Sequence, residues 1–260
     1  MNFGAARLGF WFRTPDRSIV KSKNVLIVWD PASAIPGEYG AGPEYDIYPG
    51  QIAAEISARE TALGFTPSTV VMYSAFESMS DSAIAQYSHI WDVGYATPIS
   101  YGAGLKYQTY LQGGGALFLL GENGAFWQRD DTITNFVTAM GGGSIATYNG
   151  HYFGQAVIQP EFLLANSNQY VDFYDVANFT SYGSGTPMVI TNGGGGGIDY
   201  SYWPGPGSAG LNVAVVWKTG SLTNAPAGAI CSILDVNWVD NYIYGPLLQQ
   251  NLLDNISIVL

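Results

Sequence analysis

Four carboxylates stand where short apolar runs end. Asp30 closes Val25-Leu-Ile-Val-Trp-Asp30, Asp92 closes His89-Ile-Trp-Asp92, Glu122 follows Ala116-Leu-Phe-Leu-Leu-Gly121, and Asp235 closes Ala229-Ile-Cys-Ser-Ile-Leu-Asp235. Each run reads as a β-strand. In an open parallel sheet, ligands bind beyond the carboxyl ends of the strands. Four carboxylates converging there would hold Ca²⁺ or Mg²⁺ through hard oxygen ligands, or supply an acid/base pair. The ordinary alternative carries more weight, because aspartate at a strand end commonly caps a helix or forms a turn. Glu122 has the strongest claim of the four. It lies in Gly121-Glu-Asn-Gly124, a tight turn from strand to helix, the position at which many α/β enzymes carry their nucleophile.

The remaining reactive side chains are few. His89 opens an apolar strand and reads as a packed or hydrogen-bonded histidine. His151, in Asn149-Gly-His-Tyr-Phe153, is loop-like and a weak ligand candidate on its own. Cys231, flanked by Ile230 and Ile233, reads as core, and a single cysteine excludes an internal disulfide or a cysteine-based zinc site. Asn178 and Asn255 match the glycosylation sequon by chance. The run Gly193 to Gly197 reads as a turn, not a phosphate cradle, since no helix follows it. No cofactor is expected.

These residues need elements to position them. After a strand at Val25–Asp30 and a Pro/Gly/Tyr-rich loop over 31–49, Ile52, Ile56 and Leu63 share a helical face between Gly50 and Leu63. A strand over Ser68–Tyr73, a short helix capped by the Ser80-Asp-Ser82 cluster, and the strand at His89–Asp92 follow. A helix over Leu105–Leu111 leads to the strand at Ala116–Leu120, and Asp131–Met140 forms the next helix. This β-α alternation predicts a three-layer α/β fold, a parallel sheet with helices on both faces. Residues 144–210, rich in Tyr, Asn, Ser and Gly, break the rhythm and read as short strands and long loops extending the sheet edge. Strands return at Asn212–Trp217 and Ala229–Asp235, and Pro246 opens a final amphipathic helix. The organisation is thus an N-terminal arm, 1–23, and one domain, 24–260, with an insertion at 144–210.

Composition narrows the function classes. Only 11% of residues are charged, against roughly 25% in typical soluble proteins. A charge-poor chain with 18 Tyr and 7 Trp suggests a surface largely covered by partners. The net charge of −11 is unevenly spread, since Arg7, Arg13, Arg17, Lys21 and Lys23 face only Asp16 within the first 23 positions. That arm also carries Phe10, Trp11 and Phe12 beside Arg13, which makes it too apolar for a nucleic-acid tail and suited to packing on protein. Tyr200, Tyr202 and Trp203 are the matching subunit-contact candidates in the insertion. No early apolar run resembles a secretory leader and no stretch of 18 apolar residues is present, so no membrane partner is expected.

Taken together, Val25–Asp30, His89–Asp92, Tyr110-Leu-Gln-Gly-Gly-Gly-Ala-Leu-Phe-Leu-Leu-Gly-Glu122 and Gly228-Ala-Ile-Cys-Ser-Ile-Leu-Asp-Val-Asn-Trp238 with its closing helix resemble the class I glutamine amidotransferase-like (flavodoxin-like) superfamily. The resemblance covers roughly 25–143 and 211–260. Catalytic members of that superfamily place a Cys in the elbow and a His with a carboxylate near the C-terminal end. Here the elbow holds Glu122 and Asn123, Cys231 lies within a strand, and no His follows His151. The resemblance therefore implies a noncatalytic member. The expected function is a structural subunit of a large assembly, a virion (phage capsid or tail) or else an extracellular filament or surface layer. Its partners would be copies of itself and other structural proteins. The alternative is a carboxylate-based hydrolase or carbohydrate-binding protein using Glu122 with Asp92 or Asp235.

Overall fold

The computed structural model describes residues 22–30, 49–122, 126–164, 170–191 and 210–234. The arm to residue 21, the 31–48 loop, the glycine run, Tyr200, Tyr202, Trp203, Asp235 and the final helix lie outside them.

Within the described residues, five parallel strands form the centre. They are β1 (Asn24–Trp29), β2 (Thr66–Val71), β3 (His89–Asp92), β4 (Ala116–Gly121) and β9 (Ala229–Leu234), in the order β2-β1-β3-β4-β9. All four residues of β3 and all six of β4 and of β9 are buried, which is why they read as continuous apolar runs without alternation. Alternate residues feed two cores. Val25, Ile27, Trp91, Phe118 and Cys231 pack with Ile52 and Ile56 of α1 (Pro49–Ala62) on one face. Leu26, Val28, Ile90, Leu117 and Leu119 face the other side. There they meet Phe76 of α2 (Met72–Ser78), Ile84 of α3 (Asp81–Ile84), Tyr107 and Leu111 of α4 (Tyr101–Gln112), and Ile133 and Val137 of α5 (Trp127–Ala139). The expected three-layer α/β architecture is present.

Several boundaries differ from expectation for local reasons. The second strand stops at Val71, because Met72–Ser78 coil into α2 and carry Tyr73 inward. Helix α4 begins four residues before Leu105, at Tyr101 behind Ser100, whose hydroxyl accepts from Ala103 N at 3.2 Å. Gly102 there leaves room for the Glu77 carboxyl, so a residue that reads as a breaker is required by packing. The Ser80 cap of α3 is present as expected, accepting from Ala83 N at 3.2 Å.

The insertion extends the same sheet, as expected, but its strands are long. β5 (Ile145–Ile158) and β6 (Tyr170–Tyr182) form a bulged antiparallel pair of 14 and 13 residues. Register shifts around Ala146, Tyr148 and Tyr152 absorb the glycines and polar residues that made this region read as loop. β7 (Thr186–Thr191) pairs with both β5 and β8 (Asn212–Trp217), and β8 pairs with β6 and, antiparallel, with β9. The antiparallel end of the sheet therefore closes on itself through β8, β6, β5 and β7.

Candidate functional site

The chain moves outward from β1 to β2 and then returns to place β3 on the other side of β1, so the topological switch point lies between β1 and β3. Asp30 and Asp92 flank it, and Glu122 follows the neighbouring β4. The sequence thus places three of its four carboxylates at the correct edge. What they do there differs from a metal or acid/base site.

Asp92 is fully buried and densely bonded. Tyr73 Oη donates to its carboxylate at 3.1 Å, Tyr107 Oη at 3.0 Å and Gly94 N at 3.1 Å. Arg129 pairs with it, Nη2 lying 3.1 Å from Oδ1 as an ion pair off the hydrogen-bond axis and Nη1 donating to Oδ2 at 3.5 Å. Arg129 also donates to Leu120 O at 2.8 Å, to Tyr73 Oη at 2.6 Å and to Thr97 O at 3.3 Å. Burial, with the Asp92 charge beside them, pushes both phenols well above their usual range. Burial also works against the guanidinium charge, but Asp92 and the two tyrosines outweigh it and raise the Arg129 pKa. Asp92, Arg129, Tyr73 and Tyr107 are a closed polar core that ties β3, α2, α4 and α5 together.

Asp30 is buried and accepts from Thr97 Oγ1 at 2.7 Å. The β3–α4 loop that supplies Thr97 also buries Val93 and Tyr95. Among the described residues no group of three or more His, Cys, Asp or Glu side chains could hold a metal ion. Asp30, Asp92 and Glu122, weighed in the sequence as weak metal candidates, are not such a group; Asp235 lies outside the described residues.

Glu122 ends β4 buried, and its backbone N–H donates to Asp130 Oδ1 at 3.2 Å. Asp130, in the first turn of α5, was not visible as a site residue in the sequence. It is fully buried, its Oδ2 has no hydrogen-bond partner, and burial pushes its carboxyl up to about 8, against smaller lowering by the Glu122 N–H and Arg129. Gly121 is small because a Cβ there would stand 2.5 Å from Asp130 Oδ1 and 2.6 Å from Leu234 Cδ2.

The other reactive candidates are structural. Cys231 is buried in β9 with its sulfur 3.9 Å from Met188 Sδ, and burial raises its thiol pKa far from the thiolate range. His89 is buried with Nε2 2.7 Å from Glu60 Oε1 and Nδ1 3.0 Å from Ser88 Oγ, and Trp91 Nε1 donates to the same Glu60 oxygen at 2.7 Å. A serine, a histidine and an acid in sequence suggest a nucleophile relay. However, Ser88 Oγ also donates to Asn24 O at 3.0 Å, and the Gly113, Gly114 and Gly115 amides nearby are spent within the α4 C-terminus. The chain of bonds pins α1 to β1 and β3. A groove of about 520 Å³ opens at this edge between Asp81, Tyr87, Lys106, Thr109 and Tyr110, crossed by the Lys106–Asp81 ion pair at 2.7 Å. His151 lies in β5 rather than in the expected loop.

No family model matches the sequence, and no curated protein matches it. Solved structures match in fold. A ThuA-like protein from Bacteroides uniformis aligns with TM-score 0.53 at 10% identity over 94% of this chain and 93% of its own. A cytoplasmic protein from Salmonella typhimurium gives 0.53 at 11% identity over 90% and 98%, and the N-terminal domain of mmIFT52 gives 0.52 at 10% identity over 90% and 94%. These likenesses show the fold alone, and they are consistent with the amidotransferase-like α/β architecture. They span the antiparallel insertion as well as the parallel core.

Proposed function

We propose that this chain is a noncatalytic structural subunit of a large assembly, a virion being the setting its composition fits and an extracellular filament or surface layer the nearby variant. The observation that carries the reading is that Asp92 and Asp30, the carboxylates at the switch point, are bonded to the protein's own groups. Where this architecture ordinarily keeps a ligand crevice, Asp92 is consumed by Arg129, Tyr73, Tyr107 and Gly94, and Thr97 seals Asp30. The elbow residue Glu122 is a carboxylate, and the thiol is locked in the core. Acyl transfer lacks its nucleophile and its base. Low charge and high aromatic content then assign the surface to partners, with the 1–23 arm and the 144–210 insertion as contact regions. Light scattering on the purified full chain tests this, with and without residues 1–23. Large particles from the full chain and folded monomers from the truncation are expected; a full chain that stays monomeric at high concentration overturns the proposal.

One observation favours a second reading. Asp130, whose carboxyl burial raises to about 8, accepts the Glu122 backbone N–H, and a raised carboxyl is the acid half that a carboxylate-based hydrolase needs. Asp92, bound by Arg129, does not serve it. Turnover of a glycoside or peptide panel that Glu122→Gln abolishes would establish this reading in place of the scaffold.

A further inference from the structure

We infer that the Asp130 carboxyl is a proton-dependent latch for the elbow end of β4. Protonated, it holds the Gly121–Glu122 backbone against the first turn of α5; ionised, it releases that end to water. The inference goes beyond the structural-subunit reading and stands whether or not the chain assembles. It rests first on geometry. Asp130 Oδ1 takes the Glu122 N–H at 3.2 Å, Oδ2 is buried and unpartnered, and Leu234 and Ile133 supply apolar surroundings to Gly121 where Oδ1 sits. A buried carboxylate is stable with two or three donors aimed at it, and this one has a single donor.

The charged groups around Asp130 do not rescue the ionised form. On its own helix, Asp131 opposes the charge, while Arg129 favours it but aims its Nε and Nη1 donors at Leu120 O, Tyr73, Asp92 and Thr97 O, with no hydrogen bond to Asp130. From β4 comes the Glu122 backbone N–H, and the nearby Tyr73 and Tyr107 hydroxyls of the Arg129 network serve Asp92. Ionisation therefore gains most by opening the contact so that water solvates Oδ2. Elevation of the carboxyl to about 8 sets the change in the neutral to mildly alkaline range.

Two measurements on the full chain test the latch. Carbon-13 NMR of the labelled aspartate carboxyls should show Asp130 titrating near pH 8 in the wild type. Hydrogen exchange at the Glu122 amide, corrected for intrinsic base catalysis, should rise about tenfold through that titration. Asp130→Asn keeps an acceptor for the Glu122 N–H and removes the charge, so its corrected exchange should stay flat. An Asp130 midpoint in the ordinary carboxylate range, or the same rise in Asp130→Asn, overturns the inference. The carboxyl titration needs no variant and decides the matter even if Asp130→Asn does not fold.

Discussion

At the scale of single residues, neighbouring acids have opposite fates. Asp92 is stabilised as an anion by a buried guanidinium and three neutral donors, whereas Asp130 is starved of donors and keeps its proton. Removing a partner from a buried ion pair strands the other charge, so Asp92→Ala should lower unfolding stability by roughly 3–5 kcal/mol in urea titrations. Asp130 gives the opposite sign. Its folded pKa of about 8 exceeds the 3.8 of the free group, so the folded state holds one more proton between those values. Stability from this group is fully present below the lower value, falls as pH rises between them, and is level above the higher one. Asp130→Asn should therefore stabilise the fold at pH 7 by roughly 2–5 kcal/mol and flatten the loss between those pH values, as equilibrium unfolding across pH would show. The sequence shows Asp92 plainly, because it ends a strand. Its partner Arg129 lies 37 positions away, just before the apolar spacing of α5 begins, and nothing local marks the two as a pair.

Among elements, the parallel half was legible because burial on both faces leaves unbroken apolar runs such as Ala116–Leu120 and Ala229–Leu234. The hairpin was not. Residues such as Tyr148, exposed on β5, and glycines placed at bulges obey no simple alternation, so a 14-residue strand read as short strands and long loops. Its position is nonetheless set by close packing. The β6–β7 turn brings Gly183 onto the α5–β5 connection, where Ser184 N donates to Gly142 O at 2.8 Å. Gly183 has φ +54°, and any Cβ there would overlap the Gly142 carbonyl oxygen. Gly183→Ala should cost about 1–3 kcal/mol and lower the thermal midpoint by several degrees in calorimetry. A chain whose hairpin hung free of the core would not register the change.

For the whole molecule, each face of the sheet carries one apolar cluster that runs from the parallel centre into the antiparallel end. Ala156, Ile158, Met188 and Val189 share a cluster with Ile52 and Trp91, and Ala177 and Phe179 share the other with Ile133 and Tyr107. A shared core predicts one unfolding transition, with helix ellipticity and tryptophan fluorescence changing together in denaturant; two resolved steps would contradict it. The closure of β8, β6, β5 and β7 has a further consequence for how copies can join. The closure is local: among the described strands β7 meets β5 only at Ala156–Ile158 and β8 meets β6 only at Phe179, so the long hairpin runs on beyond both. At the far side β2 pairs only with β1, and Pro67 there lacks an N–H to offer. A tile of this outline has edges at both ends of its sheet, and the proline blunts the one at β2, so an array built strand on strand would grow from the hairpin end.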